Sequence, residues 1–203
     1  MKIRSFLVIF AMSSLLHSEE NFGIVVHGGA GVMSGLSEER QQQIHKKIQE
    51  TVSEAYEILE KGGSSLDAVE LAVSMLEDSP LFNAGRGSVY NSDEVQEMDA
   101  SIMDGKNRLT GAVASVSIVK NPIKLARKVA EETKHVLLVG EGAERFAKDI
   151  GVDIVKRNYF YHEERLKRLH NSKRKTSKLN EDSDKIGTVA VSYTHLTLPT
   201  KNE

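Results

Sequence analysis

Apolar positions along the chain change period several times, and each change marks an element. The run Gly23-Ile24-Val25-Val26-His27 is short and continuous, the pattern of a buried strand, and it ends in the backbone-exposing stretch Gly28-Gly29-Ala30-Gly31. From Ser37, a candidate N-cap followed by Glu38 and Glu39, the residues Ile44, Ile48, Val52, Ala55 and Leu59 recur at helical spacing until Gly62-Gly63. A second helix is predicted behind Ser64 or Ser65, with Leu66, Val69, Ala72, Val73 and Leu76 as its stripe and Pro80 beyond its end. The two helices are expected to share one layer.

Two-residue alternation then takes over. Met98, Ala100 and Ile102 alternate with Asp99, Ser101 and Met103, Asp104-Gly105 turns the chain, and 109–119 is rich in small and β-branched residues, so the segment reads as a β-hairpin. Asn121-Pro122 supplies a cap and a first-turn proline for a helix running to about Thr133 through Ile123, Ala126, Val129 and Ala130. Val136-Leu137-Leu138-Val139-Gly140 is a second buried-strand candidate, followed by a short helix over 141–150. Apolar residues thin out after Tyr161, and 169–185 is mainly Lys, Arg, Ser, Asn, Asp and Glu, so residues 152–187 are expected to form an exposed linker.

The N-terminus has a different character. Lys2 and Arg4 precede a short apolar run ending at Leu16, and the polar His17-Ser18-Glu19-Glu20 follows. The run is shorter than the roughly 20 apolar residues a spanning helix needs, so residues 1–18 read as a signal peptide and the protein as exported to the periplasm or secreted, with no stable membrane span; an uncleaved segment would leave it cytoplasmic. The 27 basic and 29 acidic residues among 203 nearly cancel, which argues against nucleic acid as a partner. The absence of cysteine excludes disulfides, thiolate metal sites and a cysteine nucleophile.

Six stretches then converge on one family. Val25-Val26-His27-Gly28-Gly29-Ala30-Gly31, Gly62-Gly63-Ser64-Ser65-Leu66-Asp67-Ala68-Val69, Phe82-Asn83-Ala84-Gly85-Arg86-Gly87-Ser88-Val89, Met98-Asp99-Ala100-Ser101-Ile102-Met103-Asp104-Gly105, Asn121-Pro122-Ile123-Lys124-Leu125-Ala126 and Gly187-Thr188-Val189 occur in this order. Over 21–191 the chain resembles the plant-type asparaginases, or isoaspartyl peptidases, which are N-terminal-nucleophile hydrolases. The resemblance implies an α/β (α+β) fold of the αββα sandwich type, present here only as its α-subunit half. Residues 19–187 would be the α-subunit part and 188–191 the start of a β subunit.

The chemistry implied is self-cleavage between Gly187 and Thr188, after which Thr188 is both nucleophile and base. A free α-amine has an unperturbed pKa of about 7.7 to 8.0, so it can take the hydroxyl proton without a histidine. The substrates implied are L-asparagine and β-aspartyl dipeptides, handled by a dimer of αβ heterodimers without a catalytic cofactor. Asn83 would lie beside the substrate pocket, and His27, Gly28 and Gly29 match a glycine-rich switch segment, with a plain hydrogen-bonded histidine at a strand end as the alternative for His27. The backbone carbonyls of Leu76, Glu77, Ser79, Phe82, Ala84 and Arg86 match positions that bind a structural sodium ion. Asp99 and Asp104 look like a carboxylate pair, yet alternation and the Asp-Gly turn account for both as structural residues. Neither Gly28-Gly29-Ala30-Gly31 nor Gly85-Arg86-Gly87 completes a phosphate-binding or dinucleotide fingerprint.

The family pattern departs after the nucleophile. The resemblance calls for two further threonines, an arginine to clamp a substrate α-carboxylate and an aspartate for its α-amine, and residues 192–203 read instead as a non-native tail resembling a translated sequencing adapter. Thr194, Thr197 and Thr200 are not assigned as catalytic, and the chain as given is expected to be an inactive fragment. Glycosylasparaginase, which shares the fold and nucleophile, and a catalytically dead binding or structural homologue are the alternative readings.

Overall fold

The computed structural model describes residues 22–29, 31, 35–176 and 190–195. The proposed signal peptide and the Gly187-Thr188 junction lie outside them. The described residues form two sheets, each backed by helices, joined through one shared helix.

The first layer forms as the pattern predicts. Helix α1 (Glu38–Glu60) starts at Ser37, whose hydroxyl accepts from the Arg40 N–H, and buries Thr51, Ala55 and Leu59. Helix α2 (Ser65–Glu77) starts with a capping box in which Ser64 and Asp67 satisfy each other's backbone N–H groups. Strand β1 (Phe22–His27) lies against these helices through Phe22, Ile24 and Val26, which pack with Ala55, Leu59, Ala68 and Ala72. It pairs antiparallel with strand β5 (Ala190–His195), with Val26 opposite Val191 and His27 opposite Ala190. β5 therefore runs across the boundary expected at 191/192, and Ser192 to His195 are strand partners of β1.

The second layer is a three-stranded sheet in the order β2-β3-β4. Strands β2 (Met98–Asp104) and β3 (Leu109–Val116) form the expected hairpin, and β4 (Leu137–Val139) adds in parallel to β3. Helix α3 (Pro122–Glu132) covers this sheet with Ile123, Leu125, Ala126 and Val129, all buried, and α4 (Gly140–Asp149) adds Ala143 and Ala147. One glycine permits the closeness of that packing. A Cβ on Gly111 of β3 would stand 2.1 Å from the Ala126 carbonyl oxygen and 2.5 Å from the Ala130 nitrogen, so no side chain fits between strand and helix. α2 joins the layers, because Leu66, Val69 and Val73 face the second core while Ala68 and Ala72 face the first.

Four expectations need correction. β1 and β4 are not buried strands: Val25 is 64% exposed and Leu137 51%, since each strand has its helices on one face only. Asn121 occupies the N-cap of α3 but makes no capping bond there. Its amide donates to Asp78 Oδ1 at 3.2 Å, and the Ile123 N–H is met by the Glu77 carboxyl instead. The expected linker over 152–187 is structured in its first part. Val155 N–H donates to the Ile118 carbonyl, Phe160 is buried in the second core, and helix α5 (Glu163–Thr176) follows, with Lys167 paired to Glu163 one turn away. Polar composition here marks an exposed helix, and residues 177–187 lie outside the described residues.

The joint between α2 and α3 is fastened by Arg127, which is 2.7 Å from Asp67 Oδ1, 3.2 Å from Glu70 Oε2 and 2.7 Å from Glu131 Oε1. Partial burial opposes its charge, but hydrogen bonds to Glu131 and Asp67 more than compensate and raise its pKa. The Ser64 hydroxyl and then Arg127 hold the Asp67 carboxyl below the usual carboxylate range. A carboxylate with a lowered folded pKa stabilises above its unfolded value, about 4, and loses that contribution as pH falls through the folded value. Asp67→Asn should therefore lower the melting temperature at neutral pH, with the gap to the parent closing below about pH 4; a pH-independent gap would remove the charge from the explanation. Gly111→Ala should cost about 1–3 kcal/mol in chemical denaturation by forcing α3 off the sheet, and an unchanged midpoint would refute the packing argument.

Candidate functional site

The loop between α2 and β2 brings the sequence-marked residues together, and its shape begins with a buried acid. Glu77, 3% exposed, ends α2 and turns its carboxyl toward the start of α3, where Oε1 accepts the Ile123 N–H at 3.0 Å. Burial pushes its pKa up to about 8, against the opposing effect of that backbone N–H. The protonated form avoids placing a charge in the interior, although Oε2 has no hydrogen-bond partner. The adjacent Asp78 gathers two more partners on Oδ1, the Asn121 amide and the Tyr159 hydroxyl at 3.4 Å.

From this anchor the chain folds back on itself. A 3-10 turn at Gly85–Gly87 lies against the end of α2, and Gly85 has φ +49 with the Glu77 carbonyl oxygen only 2.2 Å from where a Cβ would be. Both the left-handed backbone and the missing space demand glycine. Gly87 is equally crowded by the Phe82 carbonyl oxygen, 2.0 Å from its hypothetical Cβ. Arg86 extends over the Tyr159 ring, 5.4 Å from its centroid. Asn83 is partly buried and accepts the Val89 N–H on Oδ1 at 3.0 Å, while the buried Gln96 amide donates to the Ser88 carbonyl at 2.8 Å. Both bonds pin the outgoing strand of the loop.

Phe82 links this loop to β1. Its ring lies 3.0 Å from the Cβ position of Gly28, as does the Ile48 side chain of α1, so the glycine seats the end of β1 directly on the loop. Gly29 follows with φ +105 and donates its N–H to His27 Nδ1 at 3.3 Å. His27 is exposed at the strand end, and this bond is local. The structure thus brings the end of β1 onto Phe82, the neighbour of Asn83 in sequence. Gly187 and Thr188 are outside the described residues, but the strand that resumes at Ala190 is registered opposite His27.

The cation ligands expected from the resemblance all lie at the end of α2 or in this loop. The Leu76 carbonyl accepts the Ser79 N–H and the Ala84 carbonyl the Gly87 N–H, whereas those of Glu77 and Phe82 are turned against the two glycines of the 3-10 turn. Neutral backbone oxygens on a tightly folded loop fit a hard monovalent ion in donor chemistry. Among the described residues no cluster of three His, Asp or Glu side chains could hold a metal.

Asp99 and Asp104 do not form a site. Asp99 Oδ1 accepts the N–H of Ser115, a residue at φ +53 in the bulge of the hairpin, and Asp104 Oδ1 accepts the Lys106 N–H in the turn. The residues that sequence reasoning missed are Tyr159, Gln96 and the side chain of Glu77. A glutamate at an apolar position at the end of a helical stripe was the one available signal.

The chain spans a stretch known from other proteins. The sequence profile of the asparaginase family matches residues 20–197. The chain belongs to the asparaginase family. It is 45% identical over 172 residues to the mouse isoaspartyl peptidase/L-asparaginase, covering 83% of this chain and 52% of that protein. To the human isoaspartyl peptidase/L-asparaginase it is 44% identical over 167 residues, covering 82% and 54%. To the plant-type L-asparaginase of Pyrococcus furiosus it is 56% identical over 128 residues, covering 63% and 41%. The chain thus spans about half the length of the curated relatives it matches. Among the described residues of this asparaginase-family chain, no helix is long and apolar enough to cross a membrane.

The role of Glu77 can be checked directly. Glu77→Ala strands the Ile123 N–H in the interior and should cost about 1–3 kcal/mol, whereas Glu77→Gln keeps an oxygen for that N–H and should stay close to the parent. Equal losses in urea unfolding would show that the acceptor on α3 is not what Glu77 provides.

Proposed function

We propose that the protein hydrolyses the side-chain amide of L-asparagine and β-aspartyl peptide bonds, after cleaving its own chain between Gly187 and Thr188. The observation that carries this reading is the meeting of β1 with the Phe82-Asn83 loop, with Ala190 registered opposite His27 and Thr188 two residues before it in sequence. A nucleophile entering from β5 would arrive beside the glycine-rich end of β1, which rests on Phe82, the neighbour of Asn83 in sequence.

The first reaction is intramolecular. The Thr188 hydroxyl attacks the Gly187 carbonyl carbon, the peptide nitrogen of Thr188 leaves with a proton as the new α-amine, and water hydrolyses the resulting ester to free the hydroxyl and the Gly187 carboxylate. The second reaction reuses the hydroxyl. The α-amine takes its proton, the oxygen attacks the β-carbonyl of the substrate, ammonia or an amino acid departs with that proton, and water releases aspartate. Asparagine and β-aspartyl peptides share the reacting fragment, a β-carbonyl on a free amino acid, which explains one site for both.

The 203 residues would supply the α subunit and the start of the β subunit of an αββα sandwich assembled as a dimer of αβ heterodimers. Activity is that of the whole protein, because the clamps for the α-carboxylate and α-amine are not among the residues of this half. Carbonyls of the 76–86 loop would hold a sodium ion that stiffens the turn carrying Asn83, and the basic and apolar N-terminus would direct export. The relatives' names, isoaspartyl peptidase/L-asparaginase and plant-type L-asparaginase, favour this substrate pair over glycosylasparagine.

Incubation of the purified whole-protein precursor should yield two fragments, the smaller beginning at Thr188 by N-terminal sequencing. Thr188→Ala should abolish both cleavage and turnover, a loss of at least about 10³-fold. Turnover of glycosylasparagine but not asparagine would move the protein to the other branch. An uncleaved wild-type precursor without turnover would make it a non-catalytic homologue.

A further inference from the structure

Helix α5 ends at Thr176, a short segment before Gly187, and polar side chains tie it to the turn at residues 91–95. Its residues are mostly polar, with Leu166 and Leu169 half-buried, and hydrogen bonds and ion pairs tie it to the body of the protein. The His162 N–H donates to the Tyr90 hydroxyl at 3.1 Å at the helix start. Two turns on, His170 Nε2 lies 3.0 Å from Glu94 Oε1, and Lys173 Nζ donates to the Ser92 carbonyl at 2.6 Å while standing 3.7 Å from the same Glu94 oxygen. One carboxylate thus meets two side chains of α5.

Glu94 is presented by a closed turn. Asn91 Oδ1 accepts the N–H groups of Asp93 and Val95, the Asn91 carbonyl accepts the Glu94 N–H, and the Asn91 N–H donates to the Val95 carbonyl. At the tip Glu94 has φ +61, a left-handed conformation that costs a glutamate strain and a glycine none. A residue kept at a conformationally unsuitable position while its side chain clasps another element is doing something its backbone does not require.

We infer that Glu94 is a positioning residue for self-cleavage: by clasping His170 and Lys173 it fixes α5 on the 91–95 turn and so restricts the reach of the segment that carries Gly187 and Thr188. The inference rests on the self-cleavage reading above. Its physical basis is tethering. The segment between Thr176 and Ala190 is anchored at one end by the β1–β5 pairing and at the other by this clasp. Fixing both ends raises the share of conformations in which the scissile bond meets the end of β1. The clasp residues are close to half exposed, so each pair contributes modestly and together they should change the cleavage rate about threefold to tenfold rather than abolish it.

The test compares whole-protein precursors by the half-time of fragment appearance. Glu94→Lys should slow cleavage about threefold to tenfold, and adding Lys173→Glu should recover part of the rate, because the reversed pair restores the attraction between the two side chains while the Ser92 and His170 contacts stay lost. Glu94→Gly separates side chain from backbone: it should slow cleavage while the melting temperature stays equal or rises, since glycine relieves the strain at φ +61. Once cleaved, each variant should turn over asparagine at the parent rate. Parental half-times for both Glu94→Gly and Glu94→Lys would overturn the inference, as would a slowed Glu94→Lys that Lys173→Glu does not rescue. Failure of the underlying reading is distinguishable, because it appears as a wild-type precursor that does not split or as a Thr188→Ala precursor that does.

Discussion

The hydrogen bond from the Ile123 N–H to the buried carboxyl of Glu77 is the constraint on which the candidate site depends. It joins the C-terminus of α2 to the N-terminus of α3, and the 78–88 loop starts from that joint. A carboxylate would face a desolvation penalty of several kcal/mol at this depth, which is why the group is better described as a neutral acid with a pKa near 8. A neutral acid still accepts the orphan N–H of a helix start. Asp78, next in sequence and exposed, collects Asn121 and Tyr159. Two adjacent acids thus hold different partners at different depths.

Given that joint, the loop has little freedom. The Glu77 and Phe82 carbonyls close on Gly85 and Gly87, and Phe82 is driven under Gly28. The contact matters because β1 is otherwise secured on one face only, with Val25 in solvent. Ile48 of α1 and Phe82 together fix the height at which β1 ends, and the register with β5 then fixes which residue of that strand arrives beside His27. Position of the site follows from packing of glycines rather than from any polar contact among its proposed catalytic groups.

Legibility in the sequence divides along the same line. Helix starts were readable because caps are local: Ser37, Ser64 and Pro122 act within four residues of where they stand. The hairpin was readable because alternation and an Asp-Gly turn are local too. What failed was long-range. Asn121 looked like the cap of α3, and nothing nearby indicated that Glu77, far back in the chain, would take the Ile123 N–H. The polar stretch through α5 looked like a linker, since periodicity registers apolar burial and α5 is tied by Glu94 and Tyr90. Continuous apolar runs overstated the cover on β1 and β4, because a run reports that a strand suits burial on both faces and not which faces the described residues cover. The six family stretches, by contrast, included both Gly28 and Phe82, which the fold brings into contact across a long span of chain that local patterns cannot express.

The two anchors of the proposed cleavage segment are unequal, and the inequality has a direction. β5 is held by a six-residue backbone register against β1, a cooperative ladder whose bonds are not weakened by salt. The clasp on α5 is made by half-exposed polar side chains, and screening weakens its Lys173–Glu94 pair. On the proposed cleavage between them the mutual restraint would be lost: β5 would keep its pairing with β1, while the helix side would gain the entropy of a free end with only modest contacts to oppose it. A nucleophile on the strand side would therefore be left in place with its new amine, and the severed segment would be the part that withdraws. That order of strengths is what a self-cleaving site needs, because the reverse arrangement would hold the product end over the pocket and release the threonine.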